Sequence, residues 1–424
     1  MSDKSALSGF SSYERTVIFL LSITQFTVVL DFMVMSPLGD MLVKSMDINA
    51  SSFGNIVSAY AYSAGISGLL TAGFADRFDR KKLLVFFYVG FVIGTMFCGI
   101  ADSYATIVAA RIITGLFGGV IGSISMAILT DVFPLQKRGR VMGFIQMGFG
   151  ASQVLGIPIG LYIANHQGWE APFIYIAGFS VLILLGIIFL LKPVNAHLGI
   201  RSKDSNVFSH LLSTLRRPAY QRGFLTTSLL SLGGFMMMPY GTIFAVNNLD
   251  VHEDQLPVLF MVSGLVSLLF MPIIGRLSDK VDKFKLFGVG SLWLIVFCII
   301  YTNLSGIPFW MVLIFNTGIM LGVLCRMVPS MALISAVPDD SDRGAYMSIQ
   351  SSLQQIAGGI AATVAGLIVY QKSPAAPLEH YDMVGYVVSV CVLLTIVLMF
   401  YINRYVRVKN KKNDMDDRSR MIES

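Results

Sequence analysis

Long apolar runs separated by short polar connections make up most of this 424-residue chain. A helix needs about 17 to 25 apolar residues to cross a hydrocarbon core, and roughly twelve runs of that length can be marked. They predict helices near 16–38, 53–72, 83–100, 106–130, 141–164 and 172–191, and again near 221–243, 257–274, 286–303, 308–333, 345–370 and 382–402. A polar, basic connection of about 28 residues, with Arg201, Lys203, Arg216 and Arg217, separates the two sets. The expected fold class is an all-α integral membrane protein with twelve transmembrane helices in two pseudo-symmetric six-helix bundles. The bundles would be residues 1–191 and 221–402, with a linker at 192–220 and a tail at 403–424.

Composition supports a membrane environment. With 55% hydrophobic and 13% charged residues and a mean hydropathy of +0.71, the chain holds more apolar surface than a soluble core can hide. The polar start, Met1 to Ser12, leads into a full-length run and lacks the pattern of a signal peptide, so the first span is expected to stay. Cys98, Cys298, Cys325 and Cys391 lie inside apolar runs without disulfide or zinc spacing and read as packing residues. A net charge of +6 would suit an acidic partner such as nucleic acid, but the positions of the charges argue otherwise. Of the 31 Lys and Arg, only Lys44 and Lys372 fall on one side of the twelve-span topology, with Arg111 and Arg326 inside spans. The rest share the other side, where basic loops mark the cytoplasm, so both termini are expected there. The partner implied is the lipid bilayer and not nucleic acid; the oligomeric state is not legible, and a monomer fits. Without a nucleotide-binding loop, metal cluster or catalytic triad, the sequence gives no reading as an enzyme and no cofactor or metal.

The two sets of runs repeat each other at an offset of about 202 to 205 residues. In the loop after the second run, Asp76, Asp79, Arg80 and Lys82 match Asp279, Asp282, Lys283 and Lys285. Met35-Ser36-Pro37 matches Met237-Met238-Pro239, Ser125-Met126-Ala127 matches Ser330-Met331-Ala332, and Arg138-Gly139 matches Arg343-Gly344. Two halves of six spans keep the same orientation and can rock against each other around a site at their interface.

These residues carry a resemblance to the major facilitator superfamily that covers the whole chain. Residues 72–82 are similar to that family's loop signature, Gly-x-Leu-Ala-Asp-Arg-x-Gly-Arg-Lys, with Ala72 and Asp79 at its two glycines; the second copy has Gly275 and Asp282 there. Arg111 with Gly115 resembles the span-4 signature in which an arginine points into the cavity of proton-coupled members. Gly156-Ile157-Pro158-Ile159-Gly160, followed by Gly168-Trp169, resembles the span-5 antiporter signature. The likeness is to the twelve-span drug:proton antiporters, and more narrowly to sugar (arabinose) efflux permeases, although Glu170 stands where an arginine usually follows the tryptophan. The resemblance implies a transporter of the bacterial inner membrane. It also implies a conformational latch built from Ala72, Asp76, Arg77, Arg80, Gly275 and Asp279, in which Asp76 meets the N-terminus of span 11. Gly156, Pro158 and Gly160 would then bend span 5 and seal the exit path.

Asp31 is the acid deepest in an apolar run, where a charge costs roughly 2.5 to 3.5 kcal/mol even on mild scales, so it is expected to face protein. Thr24, Thr27 and Asp31 share one helical stripe. Arg111 on span 4 lies at a matching depth, about 8 Å from the outer end against about 10 Å for Asp31. The two can act as a proton-coupling pair whose separation switches the carboxylate's proton affinity, or as a static ion pair joining two spans. Arg326 can meet a polar or anionic solute group in the cavity, or snorkel to the headgroups. Thr27, Gln146, Gln153, Met237, Gln350 and Gln354 are the other cavity candidates, with interhelical hydrogen bonds or plain packing as the alternative roles. The function read from the chain is a secondary transporter exporting a small organic solute, a drug or sugar, against protons. Proton-coupled or facilitated uptake of a sugar or metabolite is the alternative, and a non-transporting receptor or scaffold the remote one.

Overall fold

The computed structural model describes residues 9–72, 74–195, 198, 207–339 and 342–423, those at 72, 76, 135, 207, 208 and 410–423 in backbone only. Arg201 and Lys203 lie outside the described residues. The first half gives α1 (Ser12–Val34), α2 (Gly39–Ser45), α3 (Ala50–Ala72), α4 (Arg80–Gly99), α5 (Tyr104–Val132), α6 (Leu135–Ala151), α7 (Ile157–Gln167) and α8 (Ala171–Leu190). A linker helix, α9 (Val207–Arg216), comes next. The second half gives α10 (Pro218–Phe235), α11 (Gly241–Leu249), α12 (Leu256–Lys280), α13 (Lys283–Thr302), α14 (Phe309–Ser335), α15 (Arg343–Ile368) and α16 (Tyr381–Glu423). The expected tail from 403 is a continuation of α16 rather than a separate segment.

Among the described residues, ten helical stretches are long and apolar enough to cross a membrane. The two other expected spans differ for local reasons. α3 is diluted by Ser51, Ser52, Asn55, Ser58, Ser63 and Ser67, and the seventh run is cut into α10 and α11 at 236–240. Pro239 has no N–H for the carbonyl four residues back, and Pro37 breaks α1 from α2 in the same way. The repeated Met-Ser-Pro and Met-Met-Pro triplets are therefore matching helix breaks. Pro158 follows a π-turn at Ser152–Gly156 that parts α6 from α7.

Helix starts follow from the polar residues between runs. Ser11 and Glu14 form a capping box on α1, with Ser11 N–H donating to Glu14 Oε2 (2.7 Å) and Glu14 N–H to Ser11 Oγ (3.2 Å). Asp79 accepts from the N–H groups of Lys81 and Lys82 (2.8 and 3.2 Å) at the start of α4, and Asp282 from Lys285 (3.0 Å) at the start of α13. The acids standing at the loop signature's second glycine are thus helix caps.

Helices α1, α3, α4, α5, α6 and α8 pack on one another, and so do α10, α12, α13, α14, α15 and α16. Across the two sets, α3 runs against α15 and α7 against α12. Glycines allow this approach: a Cβ on Gly65 would lie 2.9 Å from the Ser352 carbonyl oxygen, and one on Gly264 2.9 Å from Val154 Cα. At the end away from the basic loops a single buried core joins both sets, including Val34, Leu38, Phe53, Tyr240, Leu249 and Ala361. At the basic end each set keeps its own, Leu21, Leu84, Phe133 and Val194 in one and Tyr220, Phe287, Ile334 and Tyr346 in the other.

Candidate functional site

The site is built where α1, α3, α4 and α5 meet. Asp31 sits one turn before the end of α1 and is wholly buried; Arg111, in the second turn of α5, is equally so. Arg111 Nη1 donates to Asp31 Oδ2 at 2.9 Å, and the Thr95 hydroxyl of α4 donates to Oδ1 at 3.0 Å. The Arg111 guanidinium lies over the Tyr60 ring of α3, 4.6 Å from its centroid, where the ring's negative face attracts a cation. Arg111 Nε has no hydrogen-bond partner among the described residues. Both charges are therefore out of water, with one direct bond between them and one donor unspent. Removing either partner strands the other, which costs about 3 to 5 kcal/mol in such pairs.

This cluster connects to the boundary between the two sets through aromatic rings. Tyr60 packs on Phe32 at 5.1 Å between centroids, and Phe32 on Phe235 of α10 at 6.2 Å. Gly115 makes the packing possible, since a Cβ there would come within 2.4 Å of the Tyr60 carbonyl oxygen. Thr95, Tyr60, Phe32 and Phe235 were not legible as site residues, because uncharged side chains inside apolar runs give no sign of their direction. Thr27, expected in the cavity, is instead buried with its hydroxyl 2.8 Å from that of Tyr88 on α4.

The remaining candidates scatter. Arg326 is 5% exposed; its Nη2 donates to Thr395 Oγ1 of α16 at 2.9 Å and its guanidinium lies 5.4 Å from the Phe287 ring centroid on α13. It points into its own helix set, and among the described residues no carboxylate pairs with it. Gln153 Nε2 lies 4.0 Å from Met33 Sδ, Met237 Sδ lies 3.3 Å from Cys298 Sγ, and Gln350 is buried with Oε1 unpartnered among the described residues. Gln146 and Gln354 are exposed. Gly156 and Gly160 face α1, where a Cβ would come within 2.6 Å of Leu30 Cδ1 and 3.0 Å of Val34 Cγ2.

Of the loop residues, the side chains of Ala72 and Asp76, and with them the expected contact of Asp76 with the start of α15, lie outside the described residues. Arg77 and Asp279 are exposed, and Gly275 has open space around it. Arg80 Nε pairs with Asp131 Oδ2 at the end of α5, 2.5 Å away. At the opposite end the two sets are tied by polar contacts. Ser36 Oγ donates to the Met238 carbonyl, Thr242 Oγ1 to the Ser36 carbonyl (3.2 Å) and Asn247 Nδ2 to Asp40 Oδ1 (2.5 Å). Lys44 bridges Asp40 (2.7 Å) and Glu253 (3.5 Å).

Comparison with known proteins agrees with this architecture. A family model described as Major Facilitator Superfamily matches residues 21–362 and 223–423. A probable sugar efflux transporter of Helicobacter pylori (strain ATCC 700392 / 26695) is 23% identical over 403 residues, covering 94% of this chain and 96% of that protein. Another protein described as a probable sugar efflux transporter, from Mannheimia succiniciproducens, is 24% identical over 363 residues, 85% of this chain and 87% of its own. Among solved structures, a bacterial homolog of the human lysosomal transporter Spinster, inward-facing and unoccupied, gives a TM-score of 0.76 at 15% identity, covering 94% of this chain and 98% of that one. The xylose transporter XylE from E. coli, in a partially occluded inward-open conformation, gives 0.70 at 16% identity over 92% and 99%.

Proposed function

The chain belongs to the major facilitator superfamily, and from that premise we propose that it exports a sugar or similar small organic solute in exchange for protons. Its twelve spans form two halves, residues 1–191 and 221–402, which alternate around the midline with both termini in the cytoplasm. The observation that carries the proton-coupled reading is the buried Asp31–Arg111 pair, held by Thr95 and roofed by Tyr60. Sugar as the solute class rests on the names of the sugar efflux relatives.

In this reading the joined core and the polar ties around Asp40 close the outer end while the basic end parts. A proton arriving on Asp31 removes the negative charge that Arg111 holds. The guanidinium then leans on Tyr60, Tyr60 moves Phe32, and Phe32 moves Phe235 in the other half. Loss of the proton to the cytoplasm restores the pair and resets the cycle.

The test is Asp31→Asn in proteoliposomes loaded with labelled arabinose, with a pH gradient imposed. Gradient-driven exchange should disappear while gradient-free counterflow persists. Coupling at the wild-type rate in this variant sinks the assignment, and accumulation with the proton flux rather than against it replaces export with uptake.

A further inference from the structure

At the basic end of the second half, the start of α10 and the last membrane turns of α16 enclose a lateral cavity of about 210 Å³. Its walls include Pro218, Arg222 and Gly223 on one side and Tyr401, Ile402 and Tyr405 on the other. The Arg222 guanidinium lies 6.0 Å from the Tyr401 ring centroid, and among the described residues no carboxylate pairs with it. Two phenol groups and a free guanidinium are the donor set that a phosphate takes, since all can donate to its oxygens.

The surroundings distinguish a lipid from a free ion. One turn deeper from Arg222, Leu225 is 52% exposed, and beside Tyr401 the side chains of Phe400 and Val397 are 48% and 54% exposed. Leu225 and Val397 each lie one turn further into the membrane than Arg222 and Tyr401, exposed apolar surface that an acyl chain needs and inorganic phosphate does not. The cavity also sits at the level where tyrosines and basic residues mark the headgroup region, with Arg404 following on α16 and Arg407 after it paired with Asp282. Basic recesses between helices on this side hold anionic headgroups in other membrane proteins. Asp339 and Asp342 lie nearby, but Lys409 and Arg217 occupy them.

We propose that this recess is a binding seat for the phosphate headgroup of an anionic phospholipid, held by Arg222 with Tyr401 and Tyr405. It is separate from the transport pathway and ties α10 to α16 at the membrane surface. The test is native mass spectrometry of the full chain in mixed micelles with phosphatidylglycerol or phosphatidylcholine, alongside melting curves with each lipid and with inorganic phosphate. Wild type should retain phosphatidylglycerol preferentially, and Arg222→Ala should lower that retention about fivefold, the worth of one basic side chain at a charged surface. Arg222→Lys should keep most of it. Arg216→Ala, which removes a charge outside the cavity, should match wild type. Retention in Arg222→Ala within twofold of wild type overturns the seat. An Arg222-dependent rise in melting temperature with phosphate alone, equal to that with phosphatidylglycerol, overturns the lipid as its occupant. Should Arg222→Ala aggregate, Tyr405→Phe carries the test, with reduced retention expected and unchanged retention counting against the proposal.

Discussion

Each half of this molecule buries an arginine in its spans, and among the described residues one of them meets a carboxylate and the other does not. Arg111 meets Asp31 directly, with Thr95 holding the carboxylate's other oxygen. Arg326 meets a hydroxyl and an aromatic face. The repeat accounts for the lack of a matching pair among the described residues of the second half. At its offset, Asp31, Thr95 and Arg111 fall on Gly233, Cys298 and Asn316, all uncharged, with Asn316 accepting from Ser263 at 2.6 Å. Two halves with the same helical frame have thus kept different chemistry. The first has a buried ion pair, and the second has a cation packed on α13 and α16 of its own set.

Asp31→Ala should be the most damaging way to break this contrast, because it leaves Arg111 buried and uncompensated at about 3 to 5 kcal/mol. Thermal unfolding of the purified protein measures it, and a loss under about 1 kcal/mol would mean water reaches the pair. The seam between halves comes next. Gly65→Val drives a side chain into the Ser352 carbonyl and should cost about 1 to 3 kcal/mol, read as a lower melting temperature with an altered α3 to α15 spacing by spin-label distances. Arg326→Met should be tolerated within about 1 kcal/mol, since an apolar side chain of similar length replaces a charge that has no counter-ion among the described residues. A collapse of that variant would show that Arg326 has a role its contacts do not display.

The smallest effect lies at the basic surface. Lys409 donates to Asp339 at 3.0 Å and holds that carboxyl below its usual range, against a lesser opposing push from burial. A carboxyl depressed by folding stabilises above its ordinary value and loses that contribution as pH falls through the depressed one. Acidification should therefore loosen this end in wild type but less in Asp339→Asn, by roughly 0.2 to 1 kcal/mol for so exposed a pair. Melting curves between neutral pH and the acid range test the difference.

How much of this was legible depends on what each signal encodes. Helix positions came through closely because a long apolar run has one plausible structure in a bilayer: the expected 83–100 is Arg80–Gly99, and 308–333 is Phe309–Ser335. The Asp31–Arg111 pairing came through because buried charge restricts where a side chain can point. Pro37 and Pro239 were seen as a repeat but not as breaks in the first helix of each half. The facing of Arg326 did not come through, since the face it shares with Asn316 and Ser330 can turn toward either the midline or α16. α9 stayed hidden because its ten-residue amphipathic pattern, Val207–Arg216, is too short to span and falls in the polar connection between the two sets of apolar runs.

The π-turn at Ser152–Gly156 has a consequence for how span 5 is phased. Each residue of an α-helix advances its direction by about 100°, so a wide turn sets the helix after it at a different angle from the helix before it. Gly156 at the end of the turn and Gly160 on α7 lie against Leu30 and Val34, while the backbone at Gln153 and Val154 within the turn lies against Gly264 of the opposite half. Span 5 works as a corner piece, with one edge belonging to its own half and the other to its neighbour.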